Sequence, residues 1–177
     1  MQSAQEDQRL ARAWLKAVAG AGVRADLESV YAAASEAIAA RGPACWASGR
    51  CCNFEQSGHL LYVTGLETAY TVWMGRERQR AEAQTHAWDF DEPLRKSAVL
   101  RLPLYTATGA CPFQVNNLCG VHEIKPLGCR VYFCDKSAQE WQHELSERLL
   151  ADIRAIHQRH EIEYRYGEWR GMLRMLR

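Results

Sequence analysis

The residues of this 177-residue chain best able to do chemistry are its seven cysteines, Cys45, Cys51, Cys52, Cys111, Cys119, Cys129 and Cys134, and they fall in only two places. The first is a knot, CWASGRCC; the second is the run CPFQVNNLCGVHEIKPLGCRVYFC, 58 residues further on. Thiols gathered in this way serve a metal or iron–sulfur site, a disulfide framework, or redox catalysis. Convergence on a metal is the first choice, because two cysteine-bearing loops folded against each other bring thiolates together and each loop is fixed by the ligands it supplies.

The spacing narrows the chemistry. Zinc fingers present sulfurs in C-x2-C pairs, and no such pair occurs here. Five residues separate Cys45 from Cys51, Cys51 and Cys52 are adjacent, and the later gaps are seven, nine and four residues. Adjacent cysteines rarely serve one ion comfortably, so Cys51 and Cys52 have different roles or different metals. Seven thiols also exceed what one tetrahedral ion or one four-iron cluster requires. Either some are spare or the site is polynuclear.

Composition sets the frame for that site. Hydrophobic residues make up 47% and charged residues 24%, ordinary values for a globular chain with six tryptophans, and the length suits one domain with a true core. A formal charge of +1 gives no global basic field, so no nucleic-acid partner is expected. The first residues do not follow the pattern of a signal peptide, and no apolar run approaches a membrane span. The reading is cytoplasmic, where seven cysteines, an odd number, are poorly explained as disulfides.

The elements that must position the thiols are mainly helical. Ser3 with Glu6 has the form of a capping box, followed by Leu10, Ala11, Trp14, Leu15 and Val18 at helical spacing, which predicts a helix over residues 4–19. Gly20 and Gly22 end it, and Leu27, Val30, Tyr31, Ala34 and Ile38 predict a second helix, stopped at Arg41, Gly42 and Pro43 and packed on the first as an antiparallel pair. Leu60, Leu61, Tyr62 and Val63 read as a short strand, and Thr64 with Glu67 as a second capping box opening a helix on Leu66, Ala69, Tyr70, Trp73 and Met74. Another short strand is expected over residues 98–104. Pro112, Gly120, Pro126 and Gly128 make the second cysteine region loop and turn. Ser137 and Glu140 offer a third cap, before a helix with Trp141, Leu145, Leu149, Ile153 and Ile156 on one face. A last short helix around Trp169, Leu173 and Leu176 is expected beyond Gly167.

Beside the thiols, His122 is a candidate ligand or supporting donor and His59 follows the first knot; both also read as ordinary loop histidines. His157 and His160 could hold an ion but more simply cap or solvate a helix end. Arg130, next to Cys129, is expected to lower the pKa of that thiol. Glu67 is read as a helix cap before a metal ligand. Tyr105, Phe113, Tyr132 and Phe133 would form an apolar rim or simply core.

The C-x5-CC knot, the Val63-Thr64 to Glu67 turn, CPF, a cysteine eight residues on and KPLGCRVYFC together resemble the CxxCxxCC cysteine-cluster family, the YkgJ-type zinc- or iron-chelating and iron–sulfur-cluster-containing proteins. The resemblance covers about residues 45–134. The family pattern has a cysteine where this chain has Ser48, a much poorer ligand for soft metals, which puts one coordination position in question. The resemblance extends to flagellin lysine methylases, but the C-x3-C-x2-C spacing of radical-SAM clusters and a glycine-rich nucleotide fingerprint are absent. Methyl transfer is therefore the third reading.

The expectation is a single, mainly α domain over residues 1–177, with a cysteine-rich irregular region at 45–134 and a few short strands. All seven cysteines are candidate ligands for an iron–sulfur cluster of the 4Fe-4S type or for iron, possibly redox-active. Zinc in a structural, interaction or metal-delivery module is the alternative. The partner is the metal or cluster, with any redox or protein partner unspecified and no membrane expected.

Overall fold

The computed structural model describes residues 2–42, 49–54, 58, 60–86, 110–116, 118–132 and 136–176. Helix α1 (Gln2–Ala19) is followed after one residue by α2 (Ala21–Arg41). Gly20 alone makes the break, and Gly22 continues within α2. Gly42 closes α2 at φ 108°, a conformation that costs glycine little and other residues much. A 3-10 turn (Arg50–Cys52) carries the first cysteines, and β1 (Tyr62–Thr64) leads directly into α3 (Gly65–His86).

The second cysteine region holds a minimal hairpin, β2 (Gln114–Val115) and β3 (Leu118–Cys119), and then the one-and-a-half-turn helix α4 (Leu127–Val131). Asn116 takes φ 51° in the hairpin turn, as asparagine tolerates better than most residues. The long helix α5 (Gln139–Arg159) follows, then β4 (Tyr166–Glu168) and α6 (Trp169–Met175). The fold is mainly α with two small antiparallel sheets, β1 with β4 and β2 with β3, as the periodicity implied. The strand expected over residues 98–104 lies outside the described residues.

The core is built from the predicted apolar faces. Leu10, Trp14 and Val18 of α1, Val23, Leu27 and Ala34 of α2, Leu66 and Ala69 of α3 and Leu145, Leu149, Ile153 and Ile156 of α5 are buried in one continuous cluster. Helix α1 packs on α2 but more extensively on α3, so the expected helix pair is part of a three-helix contact. Gly65 permits that contact: a Cβ there would lie 2.4 Å from the Trp14 ring. The Trp14 indole donates to Glu163 O at 2.8 Å, tying α1 to the segment before β4.

Two of the three expected capping boxes do not form. Helix α1 already runs through Ser3, and the Glu6 carboxylate accepts hydrogen bonds from Arg9 instead. Helix α5 has Ala138 at its cap position, without a side-chain cap, after a 3-10 turn over Lys136–Ala138. The third box is complete: Thr64 Oγ1 accepts from Glu67 N, and Glu67 Oε2 accepts from Thr64 N and Thr64 Oγ1. Strand β4 was not anticipated. It is three residues long and pairs Val63 with Gly167, so its partner is distant in sequence and its own pattern is too short to read.

Candidate metal centre

The 3-10 turn of the first knot lies against the start of the second cysteine region. Cys111 N donates to Cys52 O at 2.6 Å, and Gln114 Nε2 donates to Gly49 O at 3.0 Å. These bonds deliver Cys51 and Cys52 to the same place as Cys111 and, across the hairpin register of Gln114 with Cys119, to Cys119. The backbone thus sets the two cysteine segments, 58 residues apart in sequence, side by side, and the Cys52 thiol is pushed up chiefly by its interactions with Cys111, Cys119 and Cys51. Cys45 and Cys134, together with Ser48 and His59, lie outside the described residues.

Cys129 comes to this group from α4. Its thiol is pushed well above the ordinary value, first by burial and then by the neighbouring sulfurs of Cys111 and Cys119. Arg130 is electrostatically coupled to Cys129, as expected, but burial and the neighbouring sulfurs outweigh it and the thiol is raised and not lowered. The Arg130 guanidinium donates to Lys125 O and Glu123 O and lies 4.2 Å over the Tyr31 ring, so it braces the loop and packs on α2. Lys125 is a second cation near the thiols and favours the ionised forms of Cys51 and Cys119. Sequence reading passed over it, although it stands four residues before Cys129 in the KPLGC run.

The thiol group is electrostatically divided. Hydrogen bonding from Cys52 brings Cys51 and Cys119 down to about 6 against the cost of burial, and Lys125 adds to the effect. The same contact lowers Cys111, whose sulfur also accepts the Trp169 indole N–H at 3.4 Å. The Cys52 thiol itself is held strongly protonated. Cys52 and Cys111 are buried, and Cys51 and Cys119 are partly exposed. None of the five described cysteines is in a disulfide. Among the described residues, no three or more of His, Cys, Asp and Glu stand as a ready-made ion-holding set.

Polar side chains of α3 hold the second region in place. Glu67, buried to 1% exposure, accepts from Leu127 N at 2.8 Å with the carboxylate oxygen that the capping box leaves over. Its pKa is raised by burial, which outweighs these hydrogen bonds. Glu67 is thus a cap, as read, and also the anchor for the first turn of the helix that carries Cys129. One turn along, Thr71 Oγ1 donates to Ile124 O at 2.8 Å. Gly128 allows α4 to sit on β1, since a Cβ there would come within 2.8 Å of Leu61 Cδ1 and 3.1 Å of Tyr62 O.

Among the described residues, His122, His157 and His160 do not join the thiols. His122 is exposed in a turn, with its pKa lowered chiefly by Lys125. His160 Nε2 pairs with Asp26 Oδ2 at 2.8 Å. His157 is buried, not solvated as expected, with Nδ1 3.1 Å from Ile162 O. Of the expected aromatic rim, Phe113 is buried against Trp169 with ring centroids 5.8 Å apart, Tyr132 is exposed, and Tyr105 and Phe133 lie outside the described residues. Trp169, read only as core, is the aromatic residue that touches a cysteine sulfur.

Compared with known proteins, the chain matches no family model, no curated protein and no solved structure. The resemblance carried by the cysteine motifs is therefore a proposal about this chain. No described helix is long and apolar enough to cross a membrane.

Proposed function

We propose that this protein holds an iron–sulfur cluster through Cys51, Cys52, Cys111 and Cys119, as a member of the CxxCxxCC cysteine-cluster type. The observation that supports the reading is the backbone bond from Cys111 N to Cys52 O, which sets the two cysteine segments side by side, with Cys119 opposite Gln114 on the hairpin. The donor set fits: four thiolates are what a four-iron cluster takes from a protein, and sulfur ligands select such clusters or zinc over hard cations. A polynuclear centre also offers adjacent Cys51 and Cys52 separate metal atoms, which a single zinc ion does not. Cys129 stands beside the four as a further thiol, and Cys45 and Cys134 complete the candidate set by sequence. Such a cluster supplies one-electron transfer.

The chain's own residues would contribute in three ways. Lys125 favours the deprotonated thiols that ligation requires. Trp169 donates to the Cys111 sulfur, and hydrogen bonds to cluster sulfurs are among the levers on potential. Phe113 and Val131, both buried, give the site an apolar flank. The free thiols fit a reducing compartment, and we read the protein as cytoplasmic.

The test is an absorption spectrum of protein purified without oxygen, with iron, sulfide and zinc assayed on the same sample. A brown protein with matching iron and sulfide is expected, and Cys119→Ser should lose most of both. A colourless protein with about one zinc ion on four thiolates would replace the cluster with the zinc reading. A protein with neither would end the metal reading.

A further inference from the structure

The sheet of β1 and β4 has two outer edges, and they are treated differently. Gly65 N donates to Arg165 O, Trp169 N donates to Leu61 O, and Val63 stands opposite Gly167. The odd-numbered residues of both strands therefore turn their amides and carbonyls toward each other, and the even-numbered residues turn theirs outward. Along β1 the outer edge is covered. Thr64 N is taken by Glu67 Oε2, and α4 sits so close that a Cβ at Gly128 would come within 3.1 Å of Tyr62 O. Along β4 the outward amide and carbonyl of Tyr166 have no partner among the described residues.

The face beside this open edge is aromatic. Tyr62 and Tyr166 stack with ring centroids 5.9 Å apart. Leu60 and Tyr164, each two residues away, fall on the same face by the period of a strand, and all four keep more than a third of their surface exposed. Together they leave on the order of 300 Å² of side chain in water, a patch size that is often functional. Charge is polarised along the same segment: Glu161 and Glu163 precede β4, and Arg170 and Arg174 follow it. Glu163 is held by Arg9 and Arg170 by Glu168, whereas Glu161 and Arg174 are exposed and make no ion pair among the described residues.

We infer that the protein forms a two-fold homodimer in which β4 pairs antiparallel with β4 of a second copy. An antiparallel edge matches a copy of itself about a two-fold axis, and the pairing brings the acidic end of each segment toward the basic end of the other. A parallel partner would set like charges together. The product is a four-stranded sheet with its tyrosines in one row, past the two strands that are marginal alone. The contact is small beside that of an obligate dimer, so association is reversible. The inference uses none of the thiols and stands apart from the metal reading.

The experiment is sedimentation velocity on the full chain, purified without oxygen and kept in reductant so that thiols do not link copies. Concentrations of roughly 1–500 µM bracket a contact of this size, and the sedimentation coefficient should rise across them from monomer to dimer. Hydrogen exchange over residues 162–168 should slow at the high end, as Tyr166 N–H gains an acceptor. Tyr166→Pro removes that N–H and the ring but leaves the ladder to β1, since proline is tolerated where an edge amide faces outward; it should stay monomeric. Tyr62→Ser, which loses one aromatic contact, should weaken association by about tenfold. Leu118→Ser, exposed on the other sheet, should associate as the unsubstituted chain does. A monomer at every concentration, a dimer that persists in Tyr166→Pro, a dimer lost in Leu118→Ser, or slowed exchange that leaves out residues 162–168 would overturn the inference. Exchange in the unsubstituted chain decides alone if Tyr166→Pro does not fold.

Discussion

In the helical frame Trp14, Leu27, Leu66 and Ile153 are fully buried among apolar neighbours; the second cysteine region puts Phe113, Val121, Ile124, Leu127 and Val131 into the same core and is also tied by polar groups of α3 and α6. Two-residue strands cannot hold a hairpin by themselves, and Val115 and Leu118 leave more than half their surface exposed. The frame gains its stability from non-directional burial. The cysteine layer shares in that burial and adds a few directional contacts, at Glu67, Thr71, Gln114 and Trp169. Loss of one of those contacts is expected to loosen the layer locally while the frame stands.

The largest expected effect lies in the frame. Trp14→Ala removes a fully buried indole and its bond to Glu163 O, and should lower stability to denaturant by about 3–5 kcal/mol. Below the unfolding transition, the labelling rates of Cys51 and Cys119 by a thiol reagent should stay as they were. A rate that rises with the loss of Trp14 would show that frame and layer are one unit.

The junction comes next. Glu67→Ala takes the acceptor from Thr64 and Leu127, and should cost roughly 2–4 kcal/mol, a lost cap plus an unsatisfied buried donor. Labelling of Cys129 should become faster, since the helix carrying it loses its anchor at Leu127. Glu67→Gln, which keeps an acceptor oxygen, should lose about half as much. If Glu67→Ala slows or leaves unchanged the labelling of Cys129, Glu67 belongs to the frame alone.

The smallest effect is a pH dependence within the frame. Burial holds His157 below its ordinary value of 6.5. Between the lowered folded value and 6.5 the unfolded chain binds a proton that the folded chain does not, so this stability is present above 6.5 and is lost as pH falls below it. Denaturation midpoints measured between pH 8 and pH 5, a range chosen to bracket histidine titration, should fall more steeply for the unsubstituted chain than for His157→Gln. The lowered thiols of Cys51 and Cys119 contribute a slope of the same sign to both proteins, so the difference isolates His157. Equal slopes would remove the assignment.

The three capping-box patterns, Ser3 with Glu6, Thr64 with Glu67 and Ser137 with Glu140, show how far a local motif can be read. Thr64 with Glu67 forms the reciprocal box because Glu67 is buried and has only backbone and hydroxyl partners to satisfy it. Glu6 is exposed and Arg9 lies one turn away, so its carboxylate goes there instead. At α5 the helix begins at Gln139 after a 3-10 turn, out of register with the pattern at Ser137. The motif names residues able to cap, and packing decides where the helix starts.

The sequence by itself determined the helical frame, because apolar residues at three-to-four spacing on α1, α2, α3 and α5 have one way to leave water. It also marked the thiols, because cysteines gathered in two places are a chemical signal in any fold. Which thiols meet was decided only by the tertiary structure, through contacts between residues some 60 positions apart, such as Cys52 with Cys111 and Glu67 with Leu127. The same holds for the cations beside them: adjacency to Cys129 pointed to Arg130, whose side chain turns to carbonyls 5 and 7 residues back and to Tyr31, and Lys125 is the cation that favours ionised Cys119. Spacing along a chain fixes which groups exist and how regular elements face. The direction of a side chain in an irregular loop is fixed by the partners that reach it from elsewhere.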